Sequence, residues 1–474
     1  MFKSTKIIST LGPATNSIKI ISSLVDSGTD VFRLNFSHGS HEEHLKRIKI
    51  IRDIEKKTGQ SIGIIADLQG PKFRIGQIKN PIFIEKGNMV NFHLNQTVTS
   101  DSINSIVDEF NIHLPHPEIF LNILPNENFL INDGKLEFKV KSVTNEKITA
   151  EILNSGKMES NKGINFPTIK LQISPLTKKD KIDLMFAVKN DLDFLALSFV
   201  QKSSDIFEVR SLAQKDIKII AKIEKPSALN DLDNIVKAAD AIMIARGDLG
   251  VELPPQQLPA IQKRIILKSR KFGKPVIVAT QMLESMIQLT TPTRAEASDV
   301  AGAVFEGSDA IMLSAETAIG KNPIKSVKMM SSIVKSAEKH INEFPGDGPT
   351  KLEIENSIYH AVAKAAVDLA EVINASLIIS FTASGNTAMR IARERPHMPI
   401  YAISPSVSVN RNLKLVWGTV TSFQEETGYD QAIEKAINKA LKEKFVKKSD
   451  NIIIVSGMPF GLSGSTNTIR VTTI

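Results

Sequence analysis

Runs of β-branched and aliphatic residues recur through most of the first 345 residues, each followed by a polar or glycine-containing tip and then an amphipathic stretch. Strand and helix alternating in this way predict a parallel sheet. Eight strands are expected, at TKIISTLG (5–12), DVFRLNFS (30–37), SIGIIADL (61–68), DFLALSF (193–199), IKIIAKIE (217–224), AIMIARGD (241–248), PVIVAT (275–280) and DAIMLSAE (309–316). Their nearly unbroken apolar character fits strands with helices on one face and a packed barrel interior on the other. The expected core is a (β/α)₈ TIM barrel over residues 1–70 and 167–345.

The pattern changes between the third and fourth strands. Residues 71–166 are too many for a crossover helix and show hairpin-like alternation, as in FLINDGKLEFKV (129–140), where Asp133-Gly134 suits a tight turn. A small inserted β-barrel domain is expected there, placed as a lid over the C-terminal face of the barrel. FPGDGP (344–349) marks a linker. Beyond it, residues 346–474 predict a C-terminal α/β domain with a mostly parallel sheet, built on the helical run 355–373 and strands at SLIISF (376–381), PIYAIS (399–404) and NIIIVSG (451–457).

Composition changes this picture little. The 474 residues suit several domains rather than one core. No apolar run approaches the ~20 residues of a membrane span, and the first residues lack a signal-peptide core, so a cytoplasmic protein with no membrane partner is expected. The chain has no cysteine, which excludes disulfides, thiolate metal ligands and a cysteine nucleophile. A formal charge of +8 is compatible with nucleic-acid binding, but aromatic residues are only 5% and the lysines are scattered. A solvated lysine-rich surface and an anionic small substrate, with no nucleic-acid partner, is the better reading.

Catalytic groups of such barrels stand at the C-terminal strand tips, and here those tips are polar. They carry Arg33, Asn35, Ser37 and His38; Asp67; Lys222 and Glu224; Arg246, Gly247 and Asp248; Thr280 and Gln281; Ser314 and Glu316. Glu224 and Asp248 are hard oxygen ligands on neighbouring strands, a pair suited to Mg²⁺. Lys222 shares a strand face with Glu224 and could neutralise a transferring phosphoryl group. Gly247 would let a backbone amide approach a substrate carboxylate. The bland alternatives are ordinary loop carboxylates and a surface Lys-Glu pair of little energetic weight.

STLGPAT (9–15), RLNFSHG (33–39), AKIEKP (221–226), MIARGDLGVELP (243–254), ATQMLESM (279–286), MLSAETAIG (312–320) and the terminal STNTIRV (465–471) closely resemble the pyruvate kinase family, in order and over essentially the full length. The resemblance implies phosphoryl transfer between phosphoenolpyruvate and ADP, giving pyruvate and ATP in glycolysis. It implies that Arg33 contacts the phosphoryl group, that Glu224 and Asp248 bind Mg²⁺, with Mn²⁺ as an alternative, and that Lys222 stabilises the transition state. Gly247, Asp248 and Thr280 would hold the pyruvate carboxylate. Asn35, Phe36, Ser37, His38, Arg74 and Lys162 would contact the nucleotide. Thr280, or a water relay through Ser314 and Glu316, is the candidate proton donor. A homotetramer is also implied.

Many members of that family need K⁺, held in part by Asn, Ser and Asp, with a Glu five residues after the Asp. Asn35, Ser37 and Asp67 persist here, but Leu68 and Gln69 follow and position 72 is Lys, which resembles the K⁺-independent branch. An ammonium at Lys72 would supply the charge otherwise brought by K⁺, since two like charges about 4 Å apart repel by ~4 kcal/mol at an effective dielectric of 20. The alternative is that Lys72 points into solvent at the lid hinge. In the last domain, Thr382, Ala383, Ser384, Gly385, Asn386 and Thr387 match a loop that in the family often binds a phosphorylated effector, here a sugar phosphate or AMP. The competing reading is a helix start capped by Ser384 or Thr382. Two other functions stay open from the residues: a phosphoenolpyruvate-using aldolase or lyase, and a non-catalytic RNA-associated protein.

Overall fold

The computed structural model describes residues 2–78, 80–95, 109–167, 174–214, 216–352, 356–425, 427–460 and 466–474. Glu355 of the predicted helical run and Ser465 of the terminal motif lie outside them. Strands β1 (Lys6–Leu11), β2 (Val31–Asn35) and β3 (Gly63–Asp67) open the barrel. An insertion then contributes β4 (Ile82–Ile84), β5 (Met89–His93), β6 (Glu109–His113), β7 (Asn128–Ile131), β8 (Leu136–Val143), β9 (Lys147–Ile152), β10 (Gly156–Met158) and β11 (Ile164–Asn165). The barrel resumes with β12 (Phe194–Leu197), β13 (Lys218–Ile223), β14 (Ala241–Ala245), β15 (Val276–Ala279) and β16 (Ala310–Leu313). It closes in the order β1-β16-β15-β14-β13-β12-β3-β2 with every pair parallel.

The strand residues divide by the period of two into separate cores. Ile7, Phe32, Ile64, Ile219, Ile242 and Val278 face the helices, while Ile8, Val31, Ile65, Ala196, Ile220, Met243 and Ala310 fill the interior. Leu415 of the last domain belongs to that interior cluster and plugs the N-terminal end. The opposite end stays polar because the inward rows continue one or two steps beyond the apolar filling: Ile8 to Thr10, Val31 to Arg33, Ile65 to Asp67, Ala196 to Ser198, and Ile220 to Lys222.

The observed strands are shorter than their apolar runs suggested. Arg246–Glu252 is a helix that begins directly after β14, and Ala315–Ala318 is another after β16, so the polar residues at these tips belong to first helical turns. The predicted hairpin is present as β7 and β8, antiparallel with Ile131 opposite Leu136. Its loop is longer than a two-residue turn, with Asn132, Asp133 and Gly134 all at positive φ. The insertion forms a six-stranded sheet, β11-β7-β8-β9-β5-β6, and a two-stranded one, β10-β4. Phe92, Phe129, Phe138 and Phe166 form its aromatic core.

The last domain holds β17 (Leu377–Phe381), β18 (Ile400–Ser404), β19 (Thr419–Phe423), β20 (Asn451–Gly457) and β21 (Thr466–Thr473) in the order β19-β18-β17-β20-β21, parallel except for β21. β19 and β21 were not expected from the sequence. β21 is a polar edge strand with little buried surface, so no apolar run announces it. No described helix is long and apolar enough to cross a membrane.

Candidate active site at the barrel mouth

Lys222 is the hub. Its inward direction follows from Ile220, two residues earlier in the interior cluster, and its burial leaves the ammonium three polar neighbours. Nζ lies 2.6 Å from Ser198 Oγ, 2.9 Å from Glu224 Oε1 and 3.1 Å from Asp67 Oδ1. Arg33, on the other side of Asp67, donates from Nε to Asp67 Oδ2 at 2.5 Å and from a guanidinium NH to Thr10 Oγ1 at 3.2 Å. Glu224 Oε2 accepts the Phe199 backbone N–H at 2.7 Å. These residues come from β1, β2, β3 and β13 and from the segment after β12, and they meet at one end of the barrel.

The pKa directions follow from this crowding. Burial alone would pull the Lys222 ammonium down, but Asp67 and then Glu224 outweigh it and hold it above the ordinary lysine range. Burial would raise Asp67, and Lys222 with Arg33 holds it below the usual carboxylate range instead. Glu224 is pushed up by burial; Lys222 opposes the rise, and Asp248 adds to it. Asp248 on the adjacent strand end thus adds to the cost of charge on Glu224, a strain that a divalent cation would relieve. No group of three or more His, Asp or Glu suited to a metal occurs among the described residues. A cation held here would take two carboxylates from the protein and fill its remaining positions with water and substrate oxygens, which is the habit of Mg²⁺.

Lys72 does not point into solvent. Its Nζ lies 3.2 Å from Asp248 Oδ1, with both side chains 29% exposed. This is its one ionic contact among the described residues, so it is not joined to Asn35, Ser37 or Asp67. Asp67 is instead committed to Arg33 and Lys222, and Asn35 Oδ1 accepts the Ser37 N–H at 3.1 Å. The hinge before Lys72 turns at Gly70, φ +68°, where a Cβ would sit 2.7 Å from the Phe199 ring. That close approach packs the start of the lid on the same loop that holds Glu224.

The remaining expected residues divide. Gly247 N–H donates to Thr280 Oγ1 at 2.7 Å, so in this structure that amide serves a side chain rather than a substrate. Thr280 and Gln281 both sit at positive φ, 70° and 54°, costly for a β-branched residue. The buried Arg246 helps hold this turn, donating to Thr280 O at 2.8 Å and pairing with Asp299 at 2.7 Å; it is scaffold, not an open cation. The Phe36 ring is buried and stacked on His44 at 4.5 Å, so a contact from this residue to a nucleotide would come from its backbone. Glu316 is likewise committed, accepting the N–H groups of Leu283 and Ser314, and burial raises its pKa. Arg74 bridges to Gly163 across the base of the lid, and Lys162 pairs with Glu159 at 3.1 Å.

Sequence reasoning passed over Thr10, Ser198 and the Phe199 amide, although stepping two residues from Ile8 or Ala196 would have found the first two. It also missed a buried link between lid and barrel. Asn165 of β11 donates to Glu252 Oε1 at 3.1 Å, and Glu252 is paired with Lys225, next to Glu224. In the last domain, Gly385 begins helix Asn386–Arg393 with no side-chain cap. Ser384 therefore does not cap it, and Thr382 Oγ1 takes the Gly385 N–H at 2.9 Å.

Comparison with known proteins adds independent findings. The family profile "Pyruvate kinase, barrel domain" matches residues 2–327, and "Pyruvate kinase, alpha/beta domain" matches residues 360–472. A pyruvate kinase of Agrobacterium vitis is 46% identical over 469 residues, covering 98% of each chain. One of Methylorubrum extorquens is 40% identical over 98% of this chain and 96% of its own. The crystal structure of a pyruvate kinase from Cryptosporidium parvum superposes with a TM-score of 0.89 at 34% identity, covering 99% of this chain and 96% of that one.

Proposed function

The chain belongs to the pyruvate kinase family and is a phosphotransferase of that kind, and on that premise we propose that it works with Mg²⁺ at Glu224 and Asp248, needs no K⁺, and answers to a phosphorylated effector. The substrates are phosphoenolpyruvate and ADP, and the setting is the cytoplasm. The single observation that carries the reading is the meeting of Arg33, Asp67, Lys222 and Glu224 in one buried network at the open barrel end.

Lys222 and Arg33 present two cations where a phosphoryl group loses its bond to the enolate oxygen. Each is held by Asp67 before substrate arrives, so little reorganisation is needed as charge shifts from one oxygen to another. Bound Mg²⁺ would add Lewis-acid polarisation of the substrate oxygens. Thr280 hydroxyl, fixed by the Gly247 amide and the Ala279 carbonyl, stands as the candidate for orienting pyruvate and delivering the proton to its methylene carbon. The lid, with Arg74 and Lys162 at its base, is the nucleotide-facing wall, helped by the backbone and polar side chains of Asn35, Ser37 and His38.

Charge count supports K⁺ independence. Among the protein's own groups, Asp67, Glu224 and Asp248 are matched one for one by Arg33, Lys222 and Lys72, so Lys72 already supplies the positive charge that a monovalent cation would otherwise bring. The uncapped start of helix Asn386–Arg393 supports an effector at Thr382, Ala383, Ser384, Gly385, Asn386 and Thr387. A homotetramer is the assembly expected of the family and is checked by light scattering. The decisive assay follows pyruvate formation with Mg²⁺ present or chelated and with K⁺ replaced by tetramethylammonium. Activity that ignores Mg²⁺, or vanishes without K⁺, defeats the corresponding part of the reading.

A further inference from the structure

The chain between β2 and helix His41–Thr58 carries Ser37 and His38, which with Asn35 at the strand's end are assigned to the nucleotide. Its amides are held from within. Phe36 N–H donates to Asp67 O at 2.9 Å, Ser37 N–H to Asn35 Oδ1 at 3.1 Å and His38 N–H to Asn35 O at 3.2 Å. Two of its carbonyls are held from outside. The Lys179 ammonium donates to Phe36 O at 2.6 Å, and His44 Nε2 lies 3.0 Å from His38 O. Burial first, and the Arg47 charge next, pull His44 down to about 4, so its ring is neutral and carries one proton. Because a carbonyl only accepts, that proton sits on Nε2, and Nδ1 is the acceptor facing Arg47 at 3.5 Å.

Each of these donors is fixed by further contacts. Lys179 Nζ also meets Asp183 Oδ2 at 2.5 Å, and the other oxygen of this buried carboxylate lies 2.7 Å from His41 Nε2. Arg47 donates to Asn16 Oδ1 at 2.9 Å, so His44 is backed by the segment that follows β1. The Phe36 ring fills the space between, stacked on His44 at 4.5 Å and edge-on to Phe186 at 5.8 Å. A surface Lys-Asp pair one helical turn apart is worth little by itself, but Lys179 is aimed at a carbonyl 143 residues away. It lies in the first turn of helix Lys178–Lys189, which follows the lid segment, and its neighbour Asp180 accepts the N–H of Gly70 at 3.1 Å. Consecutive residues thus grip the roots of both elements read as walls of the nucleotide site: the lid at its hinge, and the loop 36–38.

We propose that Lys179 and His44 are positioning residues for the nucleotide, clamping the Phe36 and His38 carbonyls so that Ser37 and His38 meet ADP in one fixed arrangement. This rests on the reading of Asn35, Ser37 and His38 as nucleotide contacts and extends it to two residues that act through the loop. A loop released from the clamp samples several conformations, and binding must then order it, which lowers affinity. The Lys179 contact is the stronger half, since its donor carries a full charge. Among the described residues no hydrogen bond or ion pair joins Lys179 or His44 to Arg33, Lys222, Glu224 or Asp248, so the effect falls on nucleotide affinity rather than on the chemical step.

The test is steady-state kinetics of pyruvate formation by the full chain, with ADP varied at saturating phosphoenolpyruvate and then the reverse. Lys179→Met should raise KM for ADP roughly tenfold, with kcat and KM for phosphoenolpyruvate near the parent's, and Lys179→Arg should recover most of the loss. His44→Leu should raise KM for ADP in the same way, whereas His44→Gln, whose side-chain amide can offer a donor to the same carbonyl, should recover it. Urea midpoints taken alongside show which variants are folded; Lys179 is half exposed, so its two variants decide the matter even if the buried His44→Leu does not fold. An unchanged KM for ADP in Lys179→Met overturns the proposal, and so does no recovery in Lys179→Arg. An equal rise in both KM values, or a tenfold fall in kcat, also overturns it, because the whole barrel mouth would then have loosened. His38→Ala, which removes the loop's own imidazole, tests the underlying reading and should raise KM for ADP. If it does not, the nucleotide reading of the loop falls and the proposal with it; if it does while the Lys179 and His44 variants match the parent, only the clamp falls.

Discussion

Replacing Lys72 by Met separates the catalytic from the structural value of one charge. Lys72 Nζ and Asp248 Oδ1 are 3.2 Å apart, which at an effective dielectric of ~20 corresponds to a gross attraction of roughly 5 kcal/mol. Both groups are near one-third exposed, so water screens the pair and its net contribution to folding is about 1 kcal/mol. Lys72→Met should therefore shift the urea midpoint only slightly. Activity is a different matter, because the deletion leaves three carboxylates at the site facing two of the protein's own cations. Loss of one positioned positive charge beside a transferring phosphoryl group corresponds to roughly a hundredfold in kcat. Measured by coupled pyruvate formation in tetramethylammonium buffer with saturating Mg²⁺, the native enzyme should be active and Lys72→Met about a hundredfold slower, with added K⁺ restoring part of the loss in the variant alone. A native enzyme silent without K⁺, or a variant as active as the parent in its absence, refutes the charge-balance reasoning.

Lys222→Met should lower kcat by roughly a thousandfold. It should also cost about 3 kcal/mol in urea unfolding, because Asp67 and Glu224 are left buried beside an apolar side chain; a small effect on kcat would remove Lys222 from the chemistry. Asn165→Ala cuts the lid's hydrogen bond to Glu252 and is expected to raise KM for the nucleotide severalfold with little change in kcat, whereas an equal fall in kcat would mean the link holds the metal-binding end of β13 rather than the lid. Lys6, fully buried with its Nζ 2.6 Å from the Thr419 carbonyl, is driven by burial from 10.5 to about 7, with Asp30 opposing and Lys414 and Lys3 adding to the fall. Between those two values the unfolded chain binds the proton that the folded one has released, so stability should rise with pH across that window by several kcal/mol. Lys6→Met should flatten the rise in urea midpoint between pH 7 and 10, leaving a residual slope from Lys414, which burial also lowers; an unchanged slope would show that Lys6 stays charged.

The barrel was legible because its strands bury both faces. Eight apolar runs separated by helical stretches leave few topologies, and a strand such as Ala241–Ala245 with all five residues buried cannot be mistaken for a surface element. Strand ends were less legible for a physical reason. Arg246, Gly247 and Asp248 follow the apolar run without a break in pattern, yet Ala245 leaves the extended conformation and a helix begins at once. The two missed strands show the same limit from the other side. Thr419–Phe423 carries only two apolar residues, and Thr466–Thr473 lies at a sheet edge with a single buried residue, so neither produces the hydrophobic run by which the others were found.

At the site, the residues were legible and their pairings were not. Arg33, Asp67, Lys222 and Glu224 could be picked out because each extends an inward row of a strand by one or two steps, a rule that needs no three-dimensional information. Asp67 was expected beside Asn35, Ser37 and Lys72, in the family's monovalent-cation site or the lysine replacement of it. Its partners turn out to be Arg33, 34 residues away in sequence, and Lys222 on a strand not adjacent to its own. Lys72 reaches Asp248 across 176 residues. Such distances are fixed only when the barrel closes and the lid folds back on it. A tip residue's direction is thus a local property of its strand, while the charge it meets is a property of the closed cylinder, and the K⁺ question turns on the second.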